Sequence, residues 1–439
     1  MQNITFKVVP GGPLKGRMRV PGDKSMSHRT VMLGSLAEGR TDIEGFLEGE
    51  DSLATVAAFR AMGVSIEGPR SGRLVIEGVG MHGLKPSSQP LYLGNSGTSM
   101  RLLTGILAGQ TFDTNLTGDE SLSLRPMGRV ADPLAAMGAV IKTNNGLPPV
   151  SIAGNPNMVG IDYLMPVASA QVKSCLLLAG MYAKGRTCVT ERVPTRDHTE
   201  RMLTGFGYVL RRSENRVCIE GGGKLQGTAL RIPGDISSAA FFMVGATLKE
   251  GSQLLIENVG VNPTRIGVIN ILRQMGADIA LSKIREVAGE PVADVMVKYS
   301  PLKGIRIPPE QVSLAIDEFP AIFIAAAHAK GETILTGAAE LRVKESDRIQ
   351  TMADGLKILG IQAKPTPDGM VISGGRLSNG RIHSHGDHRV AMAFAMAGLV
   401  AQEAIYIDDC ANVNTSFPGF VSLARTVGLD IEICAAGTS

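Results

Sequence analysis

The sequence predicts an α/β (α+β) protein of two lobes, each holding three βαβαββ repeats. Two observations carry this reading. A segment pattern recurs six times along the 439 residues, and one short phrase is spelled almost identically in two places. The length also exceeds what one ordinary core organises, so more than one domain is expected.

Each of the six segments opens on a polar cluster rich in Ser, Asp or Glu and runs into a helix-forming stretch of Ala, Leu and Met. Most of these stretches turn at a glycine (Gly39, Gly109, Gly185, Gly251, Gly331), whereas the sixth has "AQE" there. A β-rich stretch follows, then a second helix closing on Gly, then a strand. The closing phrases are "AMGVSI", "AMGAVI", "GFGYVL", "QMGADI", "ILGIQA" and "TVGLDI". Their glycines, Gly63, Gly138, Gly207, Gly276, Gly360 and Gly428, stand 75, 69, 69, 84 and 68 residues apart. Glycine just past the last apolar turn is a helix stop, because positive φ costs it little. A period this long exceeds that of the usual solenoid repeats, so each unit is read as a module that packs with others into a globular domain.

The doubled phrase sets the lobe boundaries. "RVPGDKS" at 19–25 precedes the first repeat and "RIPGDISS" at 231–238 precedes the fourth, 212 residues on. Residues 21–232 are therefore expected to form an N-terminal lobe of repeats one to three. Residues 1–20 plus 233–439 form a C-terminal lobe of repeats four to six, with the strand-like arm "ITFKVVP" completing it. Proline at each crossing fixes φ and restricts the residue before it, which suits a stiff connection.

Only five of the six helix starts carry an unusual set of side chains: "DKSMSHR" (23–29), "GNSGTSMR" (94–101), "SAQVKS" (169–174), "DEFP" (317–320) and "GDHR" (386–389). The fourth start, "GDISSAAFF", is bland. Uncapped N–H groups at such starts, pointing into a common space, would form an anion site. In "DKSMSHR" a helix cap by Ser25 or Ser27, with Asp23 favoured by the dipole, accounts for the polar residues. It does not account for Lys24 and Arg29, since cations there oppose the dipole unless an anion sits in front. "GNSGT" alone is a turn signal, but small residues at a helix start also admit a phosphate or carboxylate closely. "RVKESDR" (342–348) reads either as a solvated helix face with i,i+4 pairs or as part of the site. "HSHGDHR" raises a metal, yet no Cys or second His cluster completes it, so polar capping is preferred and no metal is expected.

Composition narrows the partners. There are 44 basic and 41 acidic residues, a formal charge of +3, so any anion attraction must be local. No Trp and 4% aromatic residues argue against nucleic acid. "MQNITFKVVPGG" has no basic and apolar signal pattern. The runs "SSAAFFMVGATL" and "FPAIFIAAAHA" fall short of the roughly 20 residues a membrane span takes. Cys175, Cys188, Cys218, Cys410 and Cys434 are scattered without CxxC, which reads as free thiols in a reducing cytoplasm.

In order along the chain, "PGDKSMSHR", "LGNSGTSMRLL", "RPM", "SAQVKSCLLLAG", "TRDHTERML", "DEFP", "RVKESDR" and "GDHRVAMAF" closely resemble the 5-enolpyruvylshikimate-3-phosphate synthases, the enolpyruvyl transferases of the shikimate pathway. The resemblance covers essentially the full length, and "DKSMSHR", "SAQVKS" and "NPTR" look like the branch often called class II. It implies the two-lobed enolpyruvyl transferase fold, an inverse α/β barrel-like arrangement, with the active site in a cleft that closes on substrate. The reaction implied moves the enolpyruvyl group of phosphoenolpyruvate to the 5-hydroxyl of 3-phosphoshikimate and releases phosphate, without metal or organic cofactor.

Carried over by motif, Lys24, Ser25, Arg29, Ser169, Gln171, Arg196, Asp317 and Lys344 would hold 3-phosphoshikimate. Lys24, Gly97, Arg125, Gln171, Arg348 and Arg389 would clamp phosphoenolpyruvate. Asp317 would take the hydroxyl proton, and Glu345, assisted by Lys24, would give and later remove the methyl proton. A cytoplasmic monomer working on small molecules is expected, with no nucleic acid and no membrane.

Three departures stand out. Some members carry a lysine where Thr415 precedes "SFP", the "SSQ" of others is "SAQ", and Leu102 replaces a Pro after Arg101. Gly97 is retained where Ala excludes glyphosate in the family, so inhibition by glyphosate is expected. The related enzyme acting on UDP-N-acetylglucosamine uses a loop cysteine, but no cysteine precedes Cys175. A binding scaffold or an RNA-end-processing relative fits the decorated helix starts and the near-neutral charge less well.

Overall fold

The structure, a computed structural model, describes residues 4–287 and 289–435. Residues 1–3, Ala288 and 436–439, which the expected lobe boundaries include, lie outside the described residues. The chain divides into two compact units. One comprises the chain up to Pro21, Pro233–Arg285 and Pro291 onward; the other comprises Gly22–Ile232 and Glu286–Glu290. The chain changes unit within the two copies of the doubled phrase.

In the Gly22–Ile232 unit, helices Lys24–Leu36, Gly97–Ala108 and Ala170–Gly180 are almost wholly buried. Three four-stranded sheets accompany them. In the second sheet Thr114–Thr117 runs parallel to Leu91–Tyr92 and antiparallel to Leu147–Ala153, which pairs with Val140–Asn144. In the third, Arg186–Thr190 does the same with Asp162–Leu164 and Arg216–Glu220. In the first, the edge strand is borrowed from beyond the third repeat: Ala229–Arg231 runs parallel to Glu38–Glu44. Close helix packing depends on Gly105, since a Cβ there would stand 2.3 Å from the Cys175 carbonyl oxygen.

The other unit repeats the plan. Helix Ile236–Leu248 is buried at all 13 positions, as an element apolar on every side requires. It packs with helices Phe319–His328 and His388–Ala397. Here the borrowed strands come from the chain's beginning. Lys15–Met18 runs parallel to Gln253–Gly260. Ile4–Val9, the expected arm, lies between Ile405–Asp408 and Asp430–Ala435, antiparallel to both. The remaining sheet has three strands: Glu332–Leu335, Gly369–Ser373 and Gln362–Thr366. All six sheets are open, so the barrel-like expectation is met by mixed α/β units without barrel closure among the described residues.

The six closing glycines share one conformation, with φ of +87° at Gly63, +91° at Gly138, +83° at Gly207, +102° at Gly276, +79° at Gly360 and +107° at Gly428. A side chain would strain each of them. The longer step of 84 residues has a structural source: strands Asp278–Val287 and Glu290–Lys298 form a long hairpin, and helix Pro309–Val312 adds a further turn.

The thiol expectation needs correction. Cys188 and Cys218 form a disulfide, because the register of Arg186–Thr190 against Arg216–Glu220 sets them directly opposite with Cα atoms 4.1 Å apart. Cys175, Cys410 and Cys434 are free. Burial pushes the Cys175 thiol up to about 12, which marks it as inert. Thiol titration of the denatured, unreduced protein should therefore count three groups, rising to five after reduction. Five groups before reduction would contradict the disulfide.

Candidate active site

The helix starts are capped by their own side chains, which corrects the expectation of open N–H groups. Asp23 accepts from the Met26 amide at 2.8 Å, Ser96 from Ser99 at 3.1 Å and Ser169 from Val172 at 3.4 Å. Asp235 accepts from Ser237 at 2.8 Å and Asp387 from Arg389 at 2.9 Å. In "DKSMSHR" the cap is Asp23 rather than a serine; Ser27 Oγ instead donates to the Asp23 carbonyl. Of the six starts, only that of Phe319–His328 lacks a side-chain cap.

In the Gly22–Ile232 unit, Lys24 pairs with Asp51, a partner the motif reading did not find. Asp51 opens the next helix, Glu50–Ala61, and a "GED" helix start was the available signal. Arg29 is 5% exposed. Its Nε donates to Thr199 Oγ1 at 2.6 Å, Nη2 to Ser174 Oγ at 2.9 Å and Nη1 to the Ser25 carbonyl at 3.0 Å. All three acceptors are neutral. Burial pulls this guanidinium down to about 10, the Glu200 and Asp23 charges partly offset that, and Arg196 pushes it the same way as burial. A desolvated cation with two unspent N–H groups is the kind of group that an incoming anion stabilises.

Of the other residues expected here, Gln171, Arg125 and Gly97 come together around Arg101. Gln171 accepts from Arg101 Nη1 and donates to Thr98 Oγ1 at 3.0 Å, which ties the second buried helix to the third. Arg125 donates to Asn95 Oδ1. A Cβ on Gly97 would stand 3.1 Å from Arg125 Nη1 and 3.7 Å from Arg101 Nη1, so glycine leaves room for these guanidinium groups. Arg101, read from sequence only as the residue before Leu102, is thus part of the constellation. Arg196 lies in the loop entering helix His198–Gly205, with Ser169 capping the third buried helix.

In the other unit, "RVKESDR" is no solvated helix face. Arg348 is 1% exposed and is surrounded by carboxylates. Its Nε meets Asp387 Oδ2 at 2.8 Å, Nη2 meets Glu345 Oε2 at 2.6 Å and Nη1 lies 3.5 Å from Asp317 Oδ1. Lys344 Nζ is 3.3 Å from the same Asp317 oxygen. Arg389 Nη1 donates to the Asp317 carbonyl at 3.0 Å and lies 3.8 Å from Glu318. So Asp317, Lys344, Glu345, Arg348 and Arg389 form one cluster. Thr415 supplies no cation: its hydroxyl donates to the Asn412 carbonyl at 2.7 Å. Asp387 of the histidine-rich segment is spent on Arg348 and on capping, and among the described residues no group of His, Cys, Asp or Glu is arranged to hold a metal.

Burial alone would raise the Asp387 carboxyl, but Arg348, with His388, holds it below the ordinary value, while Glu345 opposes them. A depressed folded value means the pair's stabilisation is present above the unfolded pKa of about 3.9 and lost as pH falls through the folded one. Arg348→Met leaves Asp387 buried without its cation and should cost about 3–5 kcal/mol in denaturant unfolding at pH 7. Without Arg348, burial raises the Asp387 carboxyl, so the deficit should be largest near pH 8 and narrow as pH falls through that raised value, with a further narrowing below about 4 as the wild-type pair is protonated. A loss under about 1 kcal/mol would show that the pair does not hold the cluster.

A family profile described as EPSP synthase (3-phosphoshikimate 1-carboxyvinyltransferase) matches residues 8–423. The 3-phosphoshikimate 1-carboxyvinyltransferase of Methylococcus capsulatus is 66% identical over 433 residues, 98% of this chain and 99% of that protein. That of Alkalilimnicola ehrlichii is 65% identical over 428 residues, 97% and 96% of the two chains. A solved structure of the EPSP synthase of Acinetobacter baumannii matches with a TM-score of 0.89 at 58% identity, covering 98% of this chain and 100% of that one. On the helix starts, the six repeated modules and these matches, the chain belongs to the EPSP synthase family.

Proposed function

We propose that this enzyme transfers the enolpyruvyl group of phosphoenolpyruvate to the 5-hydroxyl of 3-phosphoshikimate, giving 5-enolpyruvylshikimate 3-phosphate and phosphate, through the two side-chain clusters described above. The observation that carries the assignment of residues is the placement of buried or half-buried cations, above all Arg29 with only neutral hydrogen-bond acceptors. Both substrates are multiply charged anions, and planar guanidinium groups suit their carboxylates and phosphates.

Arg29 has one N–H left on each Nη nitrogen, which matches the two oxygens of the 3-phosphoshikimate carboxylate, with Ser25 beside it. Ser169 and Arg196 take the phosphate, Gln171 the ring, and Lys344 with Asp317 the 5-hydroxyl. Lys24, Arg125, Gln171, Arg348 and Arg389 bind phosphoenolpyruvate, and Gly97 keeps the space open for it. The same space admits glyphosate.

Addition requires a proton on the methylene carbon of phosphoenolpyruvate and loss of one from the attacking hydroxyl. Elimination of phosphate then removes a proton from the new methyl group. Asp317 accepts the hydroxyl proton, with the Lys344 ammonium stabilising the carboxylate beside it. Glu345 with Lys24 gives and removes the carbon-bound proton. Arg348, already holding both carboxylates, fixes their orientation, which is the geometric condition for acid–base work. A cytoplasmic monomer is the state proposed.

Phosphate release from 3-phosphoshikimate plus phosphoenolpyruvate tests the activity. Asp317→Ala and Glu345→Ala should each lower kcat by about 10² or more, the usual span of general acid–base catalysis, with smaller changes in KM. Near-normal turnover in both variants would overturn the assignment of roles.

A further inference from the structure

Lys173 is a lysine that the reaction does not use. It lies in helix Ala170–Gly180, is 1% exposed, and spends its ammonium inside the protein. Nζ meets Glu191 Oε2 at 2.8 Å and Glu200 Oε1 at 2.8 Å, and donates to the Thr195 carbonyl at 3.3 Å. Three N–H groups therefore have three acceptors, the full capacity of an ammonium.

The acceptors come from the segments that carry the substrate side chains. Glu191 follows strand Arg186–Thr190, Thr195 immediately precedes Arg196, and Glu200 is next to Thr199, which accepts from Arg29 Nε. Ser174, next to Lys173 itself, accepts from both Arg29 Nη2 and Thr199 Oγ1, the latter at 2.6 Å. Formally Lys173 and Arg29 balance Glu191 and Glu200. Glu200 is also the carboxylate whose charge most supports Arg29. Without the ammonium, Glu200 would be drawn to Arg29, on which its charge already acts, and a Glu200–Arg29 ion pair would occupy the N–H groups meant for an incoming anion.

We infer that Lys173 is a positioning residue that holds Glu191 and Glu200 away from Arg29 and pins the Arg196 loop, so that the Arg29 guanidinium stays available to the substrate carboxylate. The inference rests on the assignment of Arg29 to 3-phosphoshikimate made above.

Calorimetric titration with 3-phosphoshikimate tests it on wild type, Lys173→Met, Glu200→Gln and the double variant, each checked by thermal melting. Lys173→Met should weaken binding by about tenfold or more, since a competing buried carboxylate now engages Arg29. Removing that charge as well, in Lys173→Met/Glu200→Gln, should bring affinity back to within about threefold of wild type. A lysine that only fills and ties the core predicts no such rescue, because the double variant loses more contacts than the single one. Wild-type affinity in Lys173→Met, or a double variant as weak as the single, overturns the inference. If Lys173→Met does not fold, Glu200→Gln decides: it must bind at least as tightly as wild type, and weaker binding overturns the inference. A wild-type protein that binds no 3-phosphoshikimate instead overturns the underlying assignment.

Discussion

A cation taken out of water must meet an anion, and the arrangement of this protein's site follows from that constraint. Arg348 meets Asp387, Glu345 and Asp317. Arg265, 2% exposed, meets Asp235 at 3.2 Å, and Lys173 meets two glutamates. Arg29 is also buried, at 5% exposed, but hydrogen-bonds only to a backbone carbonyl and two hydroxyls. Internal pairing fixes the first three cations, whereas the fourth keeps one N–H group unspent on each of its two Nη nitrogens.

The two units solve the same problem in parallel. Behind the Ser169 helix start, Lys173 locks the segments that carry Arg196 and Thr199. In the other unit Arg265 Nη2 donates to Ser237 Oγ at 2.6 Å and lies 3.7 Å from Glu318, the neighbour of Asp317. Ser237 also donates to Glu318. A buried carboxylate held this way fixes the backbone next to Asp317. Such networks are costly if half-satisfied, but they hold first-contact groups to the small tolerances that chemistry requires.

The large-scale plan was legible because it repeats. Six glycines at nearly even spacing announced six helix ends, and each adopts the left-handed conformation that only glycine takes cheaply. The arm "ITFKVVP" was legible as a strand by composition, and its two neighbours lie about 400 residues away. Pairings between segments were not legible. Asp51 opposite Lys24, and Glu191 and Glu200 around Lys173, are set by how helices and loops stack, which no local period encodes. The cysteines misled for the same reason: nothing in the spacing of Cys188 and Cys218 betrays a strand register that makes them face one another. The capped helix starts were half legible, since the cap residues can be named from sequence but the amides they bind cannot.

Among the described residues, Arg29 hydrogen-bonds to no carboxylate of its own chain, and the role proposed for it supplies one, that of 3-phosphoshikimate. The direct test is a binding cycle: the affinities of 3-phosphoshikimate and of its C1 carboxamide analogue for wild type and for Arg29→Gln. Neutralising the carboxylate should cost wild type about a hundredfold, the scale of a desolvated charge pair, and Arg29→Gln about threefold or less, the limit of additive behaviour. An equal penalty in both proteins would contradict that role.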